Sequence, residues 1–169
     1  MTWLPFELHP EVPPEGIPRD QYFPPGRRAQ MEAHMQGLAD EVGLTMRSRD
    51  KLINTRLALG AAEFAREHDR FEAMHRALFE AHWHGTAHLE EIDDLVRVGE
   101  SVGLDGGELR RALEEGRYEP VLDRWRQEAA QVGINAIPAH IFGGRFLVVG
   151  AHPYEVFRQV VDRLQAPAD

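Results

Sequence analysis

The stretch Ala136-Ile137-Pro138-Ala139-His140-Ile141-Phe142-Gly143-Gly144-Arg145-Phe146-Leu147-Val148-Val149-Gly150-Ala151-His152-Pro153 decides the fold. Ala139–Phe142 and Arg145–Val149 are two strand-like runs rich in bulky apolar residues, with Gly143-Gly144 between them. Two glycines at that point suit a tight primed turn, since both central residues can take positive φ without steric cost. Gly150-Ala151-His152-Pro153 then opens a final helix, with Pro153 in the first turn, where a missing N–H is harmless. Val156, Phe157, Val160, Val161 and Leu164 give that helix one buried face.

Upstream, the period changes. From Arg27 to about Gly133, apolar residues recur at helical spacing and predict six helices. The first carries Met31, Met35, Leu38 and Val42 and stops at Gly43. An alanine-rich second spans Leu57 to Ala65, and a third carries Phe71, Met74, Leu78 and Phe79. Ile92 to Val98 form a fourth that closes at Gly103; Leu109 to Leu113 form a fifth that ends near Gly116. The sixth runs from Val121 to Gly133. Their Met and aromatic stripes read as core.

At the other end, Trp3, Leu4, Phe6 and Leu8 predict a strand interrupted by Pro5, which demotes it toward a sheet edge or bulge. Pro10 to Pro25 carry six of the eleven prolines and predict an extended, irregular connection. One strand cannot make a sheet alone, so the N-terminal strand is expected to join the late hairpin. The order strand, helices, hairpin, helix gives an α+β or α/β domain with a small sheet and a large helical insertion.

Composition bounds the function. The 169 residues are 43% hydrophobic and 28% charged, enough for one domain with a core. A net charge of −9 argues against a nucleic-acid backbone or an anionic membrane as main partner. No apolar run approaches a membrane span, and Met1-Thr2-Trp3-Leu4-Pro5 has no secretory character, so a cytoplasmic location is expected. There is no cysteine, hence no disulfide, thiolate nucleophile or cysteine metal ligand in this polypeptide.

Ile137-Pro138 before the Gly-Gly hairpin and the Gly150–Pro153 helix start resembles the thioredoxin superfamily. More closely, the chain resembles the DsbA-like family that includes FrnE-type oxidoreductases and glutathione-dependent chromene-carboxylate isomerases. The stretches that carry this are Trp3-Leu4-Pro5-Phe6-Glu7-Leu8-His9-Pro10, Asn54-Thr55-Arg56-Leu57-Ala58, Ala77-Leu78-Phe79-Glu80-Ala81 and Val132-Gly133-Ile134-Asn135-Ala136-Ile137-Pro138. The resemblance implies an α/β, thioredoxin-like fold in one domain over 1–169. Residues 1–10 and 134–165 would form its thioredoxin part and 26–133 a large all-helical insertion. It also implies that Pro138 is cis and that the backbone of Ile137 pairs with a bound peptide or glutathione; the residues alone favour a trans proline opening a strand.

Against that pattern, the family's first strand and the Cys-x-x-Cys or serine segment at its active-site helix are missing from this sequence. Without sulfur, thiol–disulfide exchange is chemically impossible, so the chain as given is expected to be redox-inactive, with no catalytic residue and no cofactor. A missing interior strand would also leave unpaired edges. A truncated start, direct closure of the remaining parts and completion by a second chain all fit, and a truncated or degenerate relative that compensates by forming a homodimer is the expectation. The alternatives are a non-catalytic module binding extended peptide or a small thiol at Pro138, or part of a glutathione-dependent isomerase.

Candidate binding residues are therefore Ile137, Pro138, Asn54, His9 and His140. Asn54 suits helix capping or ligand contact; His9 and His140 suit packing or the rim of the family cleft. His82-Trp83-His84 with His88 has imidazole ligands, yet positions i and i+2 of a helix point to different faces, so an exposed His-rich turn is expected rather than a metal site. Glu90-Glu91, Asp93-Asp94 and Glu114-Glu115 read as solvated helix surface.

Overall fold

A computed structural model describes residues 1–24 and 26–166. The chain divides into two compact units, Met1–Arg124 and Trp125–Asp169.

The first unit is helical. Its elements are β1 (Ile17–Pro18), α1 (Arg19–Tyr22), α2 (Arg27–Glu41), β2 (Lys51–Leu52), α3 (Arg56–Glu67), α4 (Phe71–His84), α5 (Ile92–Ser101), α6 (Gly106–Glu114) and the first part of α7 (Glu119–Gln131), up to Arg124. Helices α3 to α6 surround a core in which Phe64, Met74, Leu95 and Leu109 are fully buried. Ala58, Ala61, Ala62 and Ala65 keep α3 slim, so neighbours approach its backbone closely. The same logic places Gly99 on α5: a Cβ there would sit 2.5 Å from Leu109 Cδ2. Asp105 starts α6, its carboxylate accepting the Glu108 N–H at 2.7 Å, an N-cap that satisfies one of the orphan donors of the first turn.

Six helices were expected between Arg27 and Gly133, and six are found there, each beginning and ending within a few residues of its pattern. Gly43, Gly103, Gly116 and Gly133 all take positive φ just past the helix ends, the conformation a C-terminal glycine supplies.

Two expectations in this unit need correction. Trp3–Leu8 is not a strand: it pairs with no strand among the described residues, and its burial is inverted relative to the apolar pattern. Trp3, Leu4 and Leu8 are exposed, while Glu7 is buried. Pro5 offers no N–H to a ladder, and side chains hold the segment instead: Arg66 donates to the Trp3 carbonyl at 2.8 Å and Arg56 donates to the Glu7 carboxylate at 2.6 Å. The proline-rich connection is also less irregular than expected. Ile17–Pro18 pairs antiparallel with Lys51–Leu52, and α1 follows directly. Pro25, the last proline of that stretch, lies outside the described residues.

The second unit contains the end of α7, strands β3 (Ala139–Phe142) and β4 (Phe146–Val149), and α8 (Tyr154–Gln165). The hairpin register is Ala139↔Val149, His140↔Val148, Ile141↔Leu147 and Phe142↔Phe146. Gly143 and Gly144 take φ of 56° and 66°, and the Phe142 carbonyl accepts the Arg145 N–H at 3.0 Å. Arg145 thus belongs to the turn, and β4 begins one residue later than the sequence pattern suggested. Pro153 sits at the N-cap position of α8, one residue before the first turn in which it was expected, and makes no side-chain capping bond. Among the described residues, the sheet holding β3 and β4 has two strands, so the expected third strand from Trp3–Leu8 is not in it.

Candidate functional site

The entry to the hairpin is the distinctive piece of backbone. Ile137–Pro138 is a cis peptide, and the Pro138 carbonyl accepts the Gly150 N–H at 2.7 Å, extending the β3–β4 ladder by one bond. Ile137 precedes that bond, is half exposed, and forms no hydrogen bond through its N–H or C=O to any described residue. A backbone donor and acceptor left open at a sheet edge are a template for an added extended segment.

Side-chain alternation divides the hairpin into two faces. His140 and Phe142 turn toward α8: the His140 ring meets Phe157 edge-on at 5.0 Å between centroids, and Phe142 lies 6.0 Å from the same ring. His140 Nδ1 is buried and has no hydrogen-bond partner. The opposite face carries the cross-strand pair Ile141 and Leu147, which are 52% and 41% exposed. Two-stranded sheets are marginal in water, and an apolar face left open on one adds an unsatisfied surface to a small element.

The other two candidates lie in the helical unit, where hydrogen bonds account for both. Asn54 sits just before α3 and ties two chain segments together. Its Nδ2 donates to the Val12 carbonyl at 2.6 Å, and its Oδ1 accepts the Arg56 N–H at 2.9 Å, which satisfies a first-turn donor of α3. It also lines a cavity of about 240 Å³ with Arg56, Leu57, Glu90 and Tyr118. His9 is held by Tyr22 Oη at 3.0 Å and Glu11 at 3.3 Å, with its ring edge-on to Tyr22.

Sequence reasoning missed the most strongly organised polar groups. Arg56 bridges the Glu7 carboxylate, the Asp123 carboxylate at 2.9 Å and the Glu119 carbonyl, joining the N-terminal segment to the start of α7. The only signal available was Glu7 itself, a charge inside an apolar run. His82 also corrects the expectation of an exposed His-rich turn. Helix α4 continues through His84 and ends at left-handed Gly85, and His82 is half-buried with its Nδ1 unpartnered. Burial above all, with the Arg49 and Arg19 guanidiniums adding to it, pushes the His82 imidazole down to about 4, so it is neutral at pH 7. Arg49 anchors the same helix end, donating to the His82 and Ala87 carbonyls at 3.2 and 2.5 Å. Among the described residues, no group of three or more His, Cys, Asp or Glu side chains could hold a metal ion.

A β-hairpin entered through a cis X-Pro bond and followed by a packed helix, after a mainly helical segment interrupted by the short strand β2, is the pattern of the thioredoxin-like class; the insertion expected to be all-helical over 26–133 is thus not wholly so. Within that class the chain belongs to the family of DSBA-like thioredoxin domains, whose model matches residues 1–162. It is similar to the uncharacterized protein YwbO of Bacillus subtilis, 27% identical over 164 residues that cover 95% of this chain and 80% of that protein. Its structure resembles the probable DsbA oxidoreductase SCO1869 of Streptomyces coelicolor, with a TM-score of 0.85, 26% identity, and coverage of 97% of this chain and 76% of that one. The crystal structure of a "putative protein disulfide isomerase" from Nitrosomonas europaea shares the fold, with a TM-score of 0.65 at 19% identity over 83% of this chain and 74% of that one. The chain thus sits in a family of the thiol–disulfide oxidoreductase kind while holding no cysteine of its own. No helix among the described residues is long and apolar enough to cross a membrane.

Proposed function

We propose that this 169-residue chain is a FrnE-like member of the family that performs no thiol–disulfide exchange itself and binds an extended peptide or small thiol along Ile137–Pro138. The first half of the reading rests on chemistry: exchange proceeds by thiolate attack on a disulfide, and these residues supply no sulfur nucleophile. The second half is carried by one observation, the unpaired backbone of Ile137 leading into a hairpin whose open face carries Ile141 and Leu147. Main-chain bonds to Ile137 would give affinity, and the apolar pair would contact alternate side chains of an extended ligand. His140 would support the strand from its α8 side, while Asn54 and His9 enter as structural groups of the helical unit. A cytoplasmic location is compatible with a chain that needs no disulfide, and we propose it.

The test is fluorescence anisotropy of labelled, cysteine-free extended peptides, with glutathione as competitor. Saturable binding weakened by about tenfold or more in Ile141→Asp supports the reading. Absence of binding to both probes overturns the binding half. Insulin reduction by the purified chain above the uncatalysed rate, in proportion to its concentration, overturns the redox half.

A further inference from the structure

We propose that α2 is a self-association surface, through which two copies of the chain pair antiparallel. Met31, Met35, Leu38 and Val42 follow one another at steps of four, three and four residues, the spacing of the apolar seam in a two-stranded coil. Among the described residues most of that seam is uncovered: Met31 is half-buried, whereas Met35, Leu38 and Val42 are 40%, 43% and 67% exposed, and Ala39 is the one buried residue of the helix.

The charges on α2 say what would cover it. A helix favours acidic residues in its first turn and basic ones in its last. This helix does the reverse, beginning with Arg27-Arg28 and ending with Asp40-Glu41, with no acid in the first turn and no base in the last. Arg28 is answered within the chain by Asp20, Glu32 and Asp50. Arg27 has no such answer among the described residues, and Arg27, His34 and Glu41 recur at seven-residue steps along one flank of the seam. An antiparallel copy sets the acidic end of one helix beside the basic end of the other and opposes the two macrodipoles. A parallel copy would set like charges together.

The expectation of a homodimer from sequence rested on open strand edges; this surface is a different one and does not depend on ligand binding at Ile137. With four seam side chains per copy the interface is small, so the dimer is weak, in the micromolar range or above.

Sedimentation velocity across a wide concentration range tests it. The expected result is a monomer–dimer equilibrium that Leu38→Glu abolishes with the circular dichroism spectrum unchanged, since Leu38 is exposed. Arg27→Glu alone and Glu41→Arg alone should each weaken the dimer severalfold, and the double variant should restore it, because the two ends merely exchange sign. A monomer at every concentration overturns the proposal, as does a dimer indifferent to Leu38→Glu, which would put the contact on the strand edges or elsewhere. Failure of the double variant to restore association overturns the antiparallel arrangement.

Discussion

The two units bury their apolar residues in opposite ways. In Met1–Arg124, a continuous cluster reaches complete burial at Phe64, Met74, Leu95 and Leu109. From Trp125 to Ala166, no described residue is buried, although the hairpin strands are almost wholly apolar. The helical unit builds a buried cluster that stabilises its own fold, although α2 leaves Met35, Leu38 and Val42 exposed. The hairpin unit leaves Ile141 and Leu147 facing outward, where they can act on something else. A sheet face that does not hold its own fold together is available for binding, and that contrast underlies the functional reading.

The contrast can be broken or sharpened by mutation, in descending order of effect. Phe64→Ala should cost about 3–5 kcal/mol in chemical denaturation, because a fully buried aromatic leaves a cavity among close-packed helices. A loss below about 1 kcal/mol would mean the helical core is far looser than its burial indicates. Arg56→Ala should cost about 2 kcal/mol, since it strands the buried Glu7 carboxylate, with the partial exposure of Arg56 softening the loss. Glu7→Gln should cost less, because it removes the buried charge instead of orphaning it.

A smaller effect concerns pH. Burial and two arginines lower the His82 pKa in the folded chain to about 4, against an ordinary value of 6.5. The unfolded chain therefore binds more protons between those values, and stability contributed at this site is full above about pH 6.5 and lost as the pH falls toward 4. His82→Gln should flatten the stability profile over that window, and a profile as steep as the parent's would remove His82 as the cause. Smallest of all, Ile141→Ala should change stability by no more than about 0.5 kcal/mol, as at other exposed positions, while weakening peptide binding. A large stability loss there would erase the distinction between the units.

Glycine carried most of what the sequence disclosed. Gly143-Gly144 announced the hairpin, and Gly43, Gly103, Gly116 and Gly133 marked helix ends, because positive φ is a local demand that sequence states locally. Trp3–Leu8 was misread because alternation of apolar residues says nothing about whether a strand partner is available. The residue that anchors the segment is its one acid, answered by an arginine 49 positions away. The β1–β2 contact escaped notice for a similar reason, being two residues long and closed by chain segments more than thirty residues apart. At the site, Ile137 and Pro138 were visible through the family pattern, whereas the open Ile141–Leu147 face was not: sequence gives the apolar alternation, and only the fold says which face has a helix against it.

The most direct test is an amide chemical-shift titration of the ¹⁵N-labelled chain with a cysteine-free extended peptide. Binding along Ile137–Pro138 should concentrate the perturbations at Ile137, Ala139, Ile141 and Leu147, and Ile141→Asp should abolish them. Saturable shifts confined to the helical unit, or none at any peptide concentration, would contradict it.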